Sequence, residues 1–238
     1  MNAKYKLIIF DLDGTLLDTL PDLAGAVNYA LRTHGRPERS IDEIRRFISN
    51  GVRKLIERSL FITETSKDTN DYIVNDRELF DAVFADFVSH YLEHTADNTV
   101  PYDGVQETVK KLKAAGFRTA VVTNKREDAA IKLMDHFYPG CFDLVFGDGP
   151  DRERKPSPAS VLLAMKELGI SKDETVYIGD SDVDLLTADN AEVDSILVTW
   201  GYRSREFLVD IGGRVIVDRP DELETLLMEK IVKGTLQV

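Results

Sequence analysis

The chain has 238 residues, of which 43% are hydrophobic and 30% are charged, and its formal net charge is −12. This composition is that of a globular protein, and the negative charge makes nucleic acid an unfavourable partner. The single cysteine, Cys141, excludes an internal disulfide. The apolar run near the N-terminus is too short for a signal peptide and no stretch is long enough to span a bilayer, so we expect a cytoplasmic protein without a membrane partner.

The first predicted element is a strand over Lys6–Asp13, because it contains the continuous apolar run Leu7–Phe10. From Leu17 to about Asn98 the pattern is helical and predicts no strand. Helices are expected over Asp22–His34, Ile41–Ile48, Val52–Leu60 and Asp76–His94, with a polar loop at Thr63–Asn70. Ser40–Glu43 has the pattern of a capping box, and Asn75–Glu78 resembles one.

Short apolar strands and amphipathic helices alternate over the rest of the chain. The predicted strands are Arg118–Asn124, Phe142–Gly147, Thr175–Asp180 and Ser195–Thr199, with Arg214–Asp218 as a candidate sixth. The predicted helices are Val105–Ala115, Glu127–His136, Ser157–Leu168 and Ser181–Ala191. Continuous apolar runs suit parallel strands that are covered on both faces. The sequence therefore predicts an α/β fold, with a doubly wound, Rossmann-like parallel-sheet core of residues 1–15 and 99–238 and an inserted α-helical cap domain of residues 16–98.

Residues that could carry chemistry lie at the carboxyl ends of several predicted strands or in the segments that follow them. The set comprises Asp11, Asp13, Gly14, Thr123, Asn124, Lys155, Asp180 and Asp184. Asp11 and Asp13 share one face of an extended segment, and Gly14 then allows a sharp turn. Alone, this run could also open a calcium loop or form a surface turn. Because ligands of open parallel sheets bind beyond the carboxyl ends of the strands, we expect the whole set to converge there.

These motifs resemble those of the haloacid dehalogenase superfamily, in its branch of small phosphatases with a helical cap after the first strand. Asp11–Thr15 is similar to motif one, Thr123–Asn124 to motif two, Lys155–Pro156 to motif three and Gly179–Asp184 to motif four. The stretches that look more specifically like phosphoglycolate phosphatases are Asn50–Arg53, Pro101–Val105, Val121–Lys125 and Thr199–Tyr202.

The resemblance implies a Mg²⁺-dependent phosphatase that acts on a small anionic phosphorylated metabolite, with 2-phosphoglycolate as the leading candidate. Asp11 would attack phosphorus and form an aspartyl-phosphate, and Asp13 would act as general acid and base. Lys155 would counter negative charge at the nucleophile and the phosphate. The Mg²⁺ ligands would be Asp11, the backbone carbonyl of Asp13, and Asp180, with Asp184 fixing Lys155 or a water of the cation.

The same resemblance assigns phosphate binding to Gly14, Thr123 and Asn124. Arg53 stands out in the predicted cap, because a positive group there could select an anionic substrate in a chain of strongly negative charge. A solvated helix face is the alternative for Arg53. We expect the protein to be a monomer or a homodimer, and the sequence does not distinguish between these two states.

The motifs leave the substrate open. Pyrophosphatases, sugar-phosphate phosphatases and β-phosphoglucomutases share the core, and phosphonate-cleaving relatives use a cap lysine, for which Lys54 is the candidate. A phospholigand-sensing module built on the same fold would be expected to have lost the nucleophile, the acid or the metal-binding acid. Asp11, Asp13 and Asp180 are all present, which favours an enzyme.

Overall fold

The computed structural model describes residues 4–48, 51–63, 66, 71–150 and 152–229. The chain divides into two compact units, here called unit 1 (Met1–Asp18 and Pro101–Val238) and unit 2 (Thr19–Val100). Among the helices of these described ranges, none has the length and apolar character needed to cross a membrane.

The strands are β1 (Leu7–Phe10), β2 (Leu17–Asp18), β3 (Val100–Pro101), β4 (Arg118–Arg126), β5 (Leu144–Asp148), β6 (Thr175–Gly179), β7 (Asp194–Val198) and β8 (Ile216–Val217). The helices are α1 (Leu20–Thr33), α2 (Ile41–Phe47), α3 (Val52–Phe61), α4 (Arg77–Glu93), α5 (Val105–Ala114), α6 (Glu127–Phe137), α7 (Ala159–Leu168), α8 (Asp182–Ala191), α9 (Arg205–Asp210) and α10 (Pro220–Glu229). A 3₁₀ turn at Lys172–Glu174 precedes β6.

Unit 1 is built on a parallel sheet of six strands in the order β5-β4-β1-β6-β7-β8, and β2 pairs with β3 separately. Phe10, the last residue of the central strand β1, pairs with Val121 of β4 and with Ile178 of β6, and both neighbours continue beyond that pairing. The predicted parallel α/β core is thereby confirmed. This register places the residues that follow β1, β4 and β6 at one edge of the sheet.

Side chains that alternate along β1 pack on opposite faces of the sheet. Leu7 and Ile9 are fully buried in a cluster that includes Val161 of α7 and Ala188 of α8. On the other face the ring of Phe10 meets Phe142 edge to face, with 6.0 Å between ring centres. Burial on both faces explains why the strand is a continuous apolar run.

Strand β1 ends earlier than predicted, at Phe10 rather than at Asp13. The backbone N–H of Asp11 still donates to Ile178, but the next groups leave the ladder. The N–H groups of Leu16 and Leu17 donate to the carbonyl of Leu12 and close a turn there. The two aspartates therefore lie beyond the strand itself.

Two helices of unit 1, α9 and α10, were not predicted. The sequence carries a start signal for each: the Ser204 hydroxyl accepts from the N–H of Phe207, and α10 begins with Pro220. The six-residue length of α9 left too little periodicity to detect.

Unit 2 contains α1 to α4, with α1 packed against α4. The capping box at Ser40–Glu43 is confirmed, because the Ser40 hydroxyl and the Glu43 carboxylate each accept from the other's backbone N–H. Helix α4 begins one residue later than the predicted box implies: Asp76 accepts from the N–H of Leu79. Most of the predicted loop at 63–70 lies outside the described residues.

A buried carboxylate ties the two ends of unit 2 together. Asp22, in the first turn of α1, accepts the backbone N–H groups of Asn98 and Thr99 at 2.8–3.0 Å and the side-chain amide of Asn98 at 2.9 Å. Asp22 is only 4% exposed and Thr99 is buried, so water does not readily replace the acceptor of the Thr99 N–H. The entry and exit of this helical unit are thus held by charge-assisted hydrogen bonds.

We expect Asp22→Ala to destabilise the protein by about 2–4 kcal/mol, because it leaves the buried N–H of Thr99 unpaired and removes the acceptor of the Asn98 donors. Thermal unfolding followed by far-UV circular dichroism measures the loss. Asp81→Ala, which removes an exposed carboxylate from α4, is the matched control and should change stability by no more than about 0.5 kcal/mol. Equal shifts for the two variants would contradict this role of Asp22.

Candidate active site

The predicted site residues of unit 1 come together at the carboxyl ends of β4, β1 and β6. This group comprises Asp11, Asp13, Gly14, Thr123, Asn124, Lys155, Asp180 and Asp184. Three of them follow β1, two lie on β4, one follows β6 and one lies in the first turn of α8, while Lys155 lies between β5 and α7. The site is therefore assembled from segments that are distant in sequence but adjacent in the sheet.

The turn after β1 requires glycine at position 14. Gly14 has φ +85°, which L side chains rarely adopt, and a Cβ there would lie 2.4 Å from Oδ2 of Asp180. The absence of a side chain allows the turn to lie directly against the Asp180 carboxylate. The sequence signal, an aspartate pair followed by glycine, thus has a steric cause as well as a conformational one.

Lys155 lies between two buried carboxylates. Its Nζ is 2.9 Å from Oδ1 of Asp11 and 2.7 Å from Oδ1 of Asp184, and it also donates to the hydroxyl of Tyr177 at 3.1 Å. Burial lowers the pKa of Lys155, but the charges of Asp11 and Asp184 outweigh it and hold that pKa well above its usual value. The side chain is therefore a fixed ammonium at neutral pH.

The carboxylates of Asp180 and Asp184 differ in how many hydrogen bonds they accept from the protein. Oδ2 of Asp184 accepts from the backbone N–H groups of Asp180 and Ser181 and from the Ser181 hydroxyl, at 2.6–3.1 Å. Asp180 accepts one bond on each oxygen, from the Thr15 hydroxyl at 3.1 Å and from the N–H of Tyr202 at 2.8 Å. Asp184 is thus committed to protein donors, whereas Asp180 keeps unused lone pairs.

Burial perturbs the acids strongly. It raises the pKa of Asp11 to about 7, with Lys155 opposing the shift and the charges of Asp184 and Asp13 adding to it. It also raises the pKa of Asp180 well above its usual range, and the charges of Asp184 and Asp11 reinforce that effect. Lys155 alone therefore does not suffice to keep all of these carboxylates ionised, and Asp11 and Asp180 hold their protons to higher pH than usual.

This donor set fits a divalent cation. Carboxylate oxygens of Asp11, Asp180 and Asp184 lie within 4.8 Å of one another, and all three residues are buried. A hard cation such as Mg²⁺ prefers oxygen ligands, and its charge would offset the burial and the mutual repulsion that raise the pKa values of Asp11 and Asp180. Because Asp184 is occupied by protein donors, Asp11 and Asp180 are the better candidates for ligands.

A second buried lysine, Lys125, was not predicted as a site residue. Its Nζ lies 2.8 Å from Oδ1 of Asp13, and its side chain is only 2% exposed. Strand β4 continues to Arg126, beyond the predicted end at Asn124, so Lys125 belongs to the same strand end as Thr123. The sequence feature that could have identified Lys125 as a site residue is its position directly after the Thr123–Asn124 pair.

Thr123 and Asn124 use their polar atoms on neighbouring backbone in this structure. The Thr123 hydroxyl accepts from the N–H of Lys125 at 3.2 Å. The Asn124 amide donates to the carbonyl of Lys155 at 3.1 Å and accepts from its N–H at 2.8 Å. Asn124 therefore fixes the backbone of the lysine that lies between Asp11 and Asp184.

Arg53, the predicted substrate-binding residue outside unit 1, lies in the first turn of α3 of unit 2. Its guanidinium carbon lies 4.9 Å and 5.0 Å from the ring centres of Phe80 and Phe84. Cation–π contacts of this kind restrain the side chain without neutralising its charge. A role for Arg53 toward a substrate stays a prediction.

The chain is similar to known proteins over most of its length. The model of a family described as haloacid dehalogenase-like hydrolase matches residues 8–198. The phosphoglycolate phosphatase of Colwellia psychrerythraea is 35% identical, with 92% of this chain and 96% of the relative covered. The phosphoglycolate phosphatase of Aquifex aeolicus is 34% identical, with 96% of this chain and 99% of the relative covered. A solved structure from Lactobacillus delbrueckii subsp. bulgaricus has a TM-score of 0.88 at 36% identity, with 94% and 98% covered.

We expect Lys155→Met to destabilise the protein by about 3 kcal/mol in the presence of EDTA, because it leaves buried carboxylates without their ammonium. The loss should be larger at pH 8 than at pH 6. Burial raises the pKa of Asp11 to about 7, so wild-type stability falls as pH rises toward that value and then levels off. Lys155 lowers the pKa of Asp11, so its removal raises that pKa further and the variant continues to lose stability above pH 7.

Chemical denaturation at the two pH values measures this loss. Lys110→Met, which removes an exposed lysine from α5, is the control and should be nearly neutral. Adding Asp184→Asn to Lys155→Met should recover part of the loss. A Lys155 variant as stable as the control would contradict the ion-pair geometry.

Proposed function

Because this chain belongs to the haloacid dehalogenase-like hydrolases, we propose that it is a phosphatase that hydrolyses a small phosphomonoester through an aspartyl-phosphate on Asp11. The observation that carries the proposal is the buried cluster in which Lys155 bridges Asp11 and Asp184 beside Asp180. Phosphoryl transfer needs a nucleophile and positioned positive charge, and this cluster supplies both.

Asp11 is proposed as the nucleophile. Its Oδ1 accepts from the N–H of Leu12 at 2.7 Å and from Lys155, which leaves Oδ2 to attack phosphorus. In the first step the Oδ2–P bond forms while the bond from phosphorus to the leaving oxygen breaks. In the second step water attacks phosphorus, releases inorganic phosphate and restores the Asp11 carboxylate. Lys155 counters the charge that accumulates on the transferring group.

Proton transfer is assigned to Asp13. Its carboxyl group would protonate the leaving oxygen in the first step and take a proton from the attacking water in the second. Lys125 holds Oδ1 of Asp13 at 2.8 Å, so we include it as a positioning residue for this carboxyl group. Gly14 and Thr123 are proposed to bind phosphate oxygens, and Asn124 to act through the backbone of Lys155.

Mg²⁺ is the proposed cofactor, held by the side chains of Asp11 and Asp180 and by the backbone carbonyl of Asp13. When bound, the cation would neutralise charge on the phosphate and on the buried carboxylates. Asp184 would then keep Lys155 in place.

The proposed substrate is 2-phosphoglycolate, because relatives that match over most of this chain carry the name phosphoglycolate phosphatase. Residues 16–98 are proposed as a cap domain, with Arg53 offering positive charge to an anionic substrate. The contacts of Lys54 argue against the phosphonate-cleaving alternative. Its Nζ donates to Glu57 at 2.8 Å and to Tyr72 at 3.0 Å, and these hydrogen bonds raise the pKa of Lys54. A lysine that forms a Schiff base needs a lowered pKa.

The proposal is tested by assaying phosphate release from 2-phosphoglycolate, a sugar phosphate, pyrophosphate and an aryl phosphate. Activity is expected to need Mg²⁺, to vanish in EDTA and to be highest for 2-phosphoglycolate. Asp11→Asn should lower kcat by roughly 10³-fold or more, because it removes the nucleophile. Asp135→Asn, on an exposed position of α6, is the control and should retain full activity. No turnover of any substrate, or turnover that survives Asp11→Asn, would contradict the mechanism.

Lys54→Met separates the two reaction classes. We expect the variant to keep the kcat for the preferred phosphomonoester, because Lys54 lies in an ion pair and carries no covalent role. Borohydride added with a phosphonoaldehyde should not inactivate the wild type. Inactivation that depends on both the aldehyde and Lys54 would instead support Schiff-base chemistry.

A further inference from the structure

The residues just after β7 contact both the turn that follows β1 and the aspartate that follows β6. We name Trp200–Tyr202 the Trp200 segment. The indole Nε1 of Trp200 donates to the carbonyl of Thr15 at 3.0 Å, in the turn that follows β1. The N–H of Tyr202 donates to Oδ2 of Asp180, which follows β6. One short segment thus bonds to the neighbourhoods of Asp11 and Asp180 at once.

Gly201 allows this contact by having no side chain. A Cβ at position 201 would lie 2.3 Å from the carbonyl oxygen of Gly14 and 2.5 Å from both Cβ and Oδ2 of Asp180. Two of these three atoms belong to the backbone or to the base of a side chain, so they cannot move aside cheaply. Glycine is needed here for space, and its backbone packs directly between the two parts of the site.

The orientation of Asp180 depends on this segment. Its two carboxylate oxygens accept from Tyr202 on one side and from the hydroxyl of Thr15 on the other. The carbonyl of that same Thr15 accepts from Trp200. Asp180 and Thr15 are each 1% exposed, so water offers little substitute for these donors. The segment therefore restrains Asp180 directly through Tyr202 and indirectly through Thr15.

We propose that the Trp200 segment is a positioning element that presents Asp180 to a divalent cation and thereby sets the affinity of the site for it. This inference rests on the proposed function, in which Asp180 is a cation ligand. A ligand that is already oriented loses less conformational freedom when the cation binds. Trp200 acts through Thr15, Gly201 through its close packing, and Tyr202 through its backbone N–H.

The test measures Mn²⁺ binding in the absence of substrate, by electron paramagnetic resonance of the free ion. Trp200→Phe removes the indole donor while keeping an aromatic ring, and should weaken Mn²⁺ binding about tenfold. Gly201→Ala should weaken it further. At saturating Mg²⁺, the kcat of Trp200→Phe should return toward that of the wild type, because the defect lies in cation affinity.

Thr199→Val is the matched control. It removes a hydrogen bond of 2.8 Å from the Thr199 hydroxyl to Asp218, next to the segment but directed away from Asp180. Its Mn²⁺ affinity should equal that of the wild type. Trp200 is also the only tryptophan, so its emission should change when Mg²⁺ is added to the wild type and should not change in Asp180→Asn.

The outcomes are distinguishable. If wild type binds Mn²⁺ through Asp180 but folded Trp200→Phe binds it equally tightly, the role of the segment is overturned while the proposed function stands. If wild type binds no divalent cation and hydrolyses no phosphomonoester, both are overturned. If Gly201→Ala does not fold, Trp200→Phe and Thr199→Val still decide the question.

Discussion

The central constraint in this protein is the burial of several carboxylates around one ammonium. Asp11, Asp180 and Asp184 are each at most 7% exposed, and Lys155 is the cation in contact with two of them. Removing charged groups from water is costly unless each is paired and hydrogen-bonded. Much of the surrounding structure meets that requirement, and the carboxylate charge that Lys155 does not balance suits the proposed cation site.

Close backbone approach is the means by which the fold supplies donors to these acids. Gly14 and Gly201 lie against Asp180, and a Cβ at Gly179 would lie 2.3 Å from Cβ of Asp184. The same proximity lets backbone N–H groups donate to both carboxylates. The glycines in the site motifs are therefore part of its electrostatics, since any side chain there would separate the donors from the acids they stabilise.

The sequence was sufficient for the sheet, for most helices and for the convergence of the acidic residues, because apolar runs mark the strands and the reactive groups follow the strand ends. It was insufficient for Lys125 and Trp200. Lys125 contacts Asp13, which lies 112 positions earlier in the chain, and Trp200 contacts Thr15, which lies 185 positions earlier. Such pairings depend on strand order and on register, which no local pattern encodes. Asn124 illustrates the same limit, because its amide lies on the backbone of Lys155, a neighbour only in the folded chain.

In the proposed mechanism one atom of Asp11 forms the covalent bond to phosphorus, and trapping the intermediate tests this role most directly. Enzyme mixed with 2-phosphoglycolate and Mg²⁺ is quenched in acid, reduced with borohydride and digested for peptide mass spectrometry. Reduction converts a phosphorylated aspartate into homoserine, so the proposed mechanism predicts homoserine at position 11 and unmodified aspartate at position 13. Homoserine at position 13 or 180, or none despite continuing turnover, would contradict it.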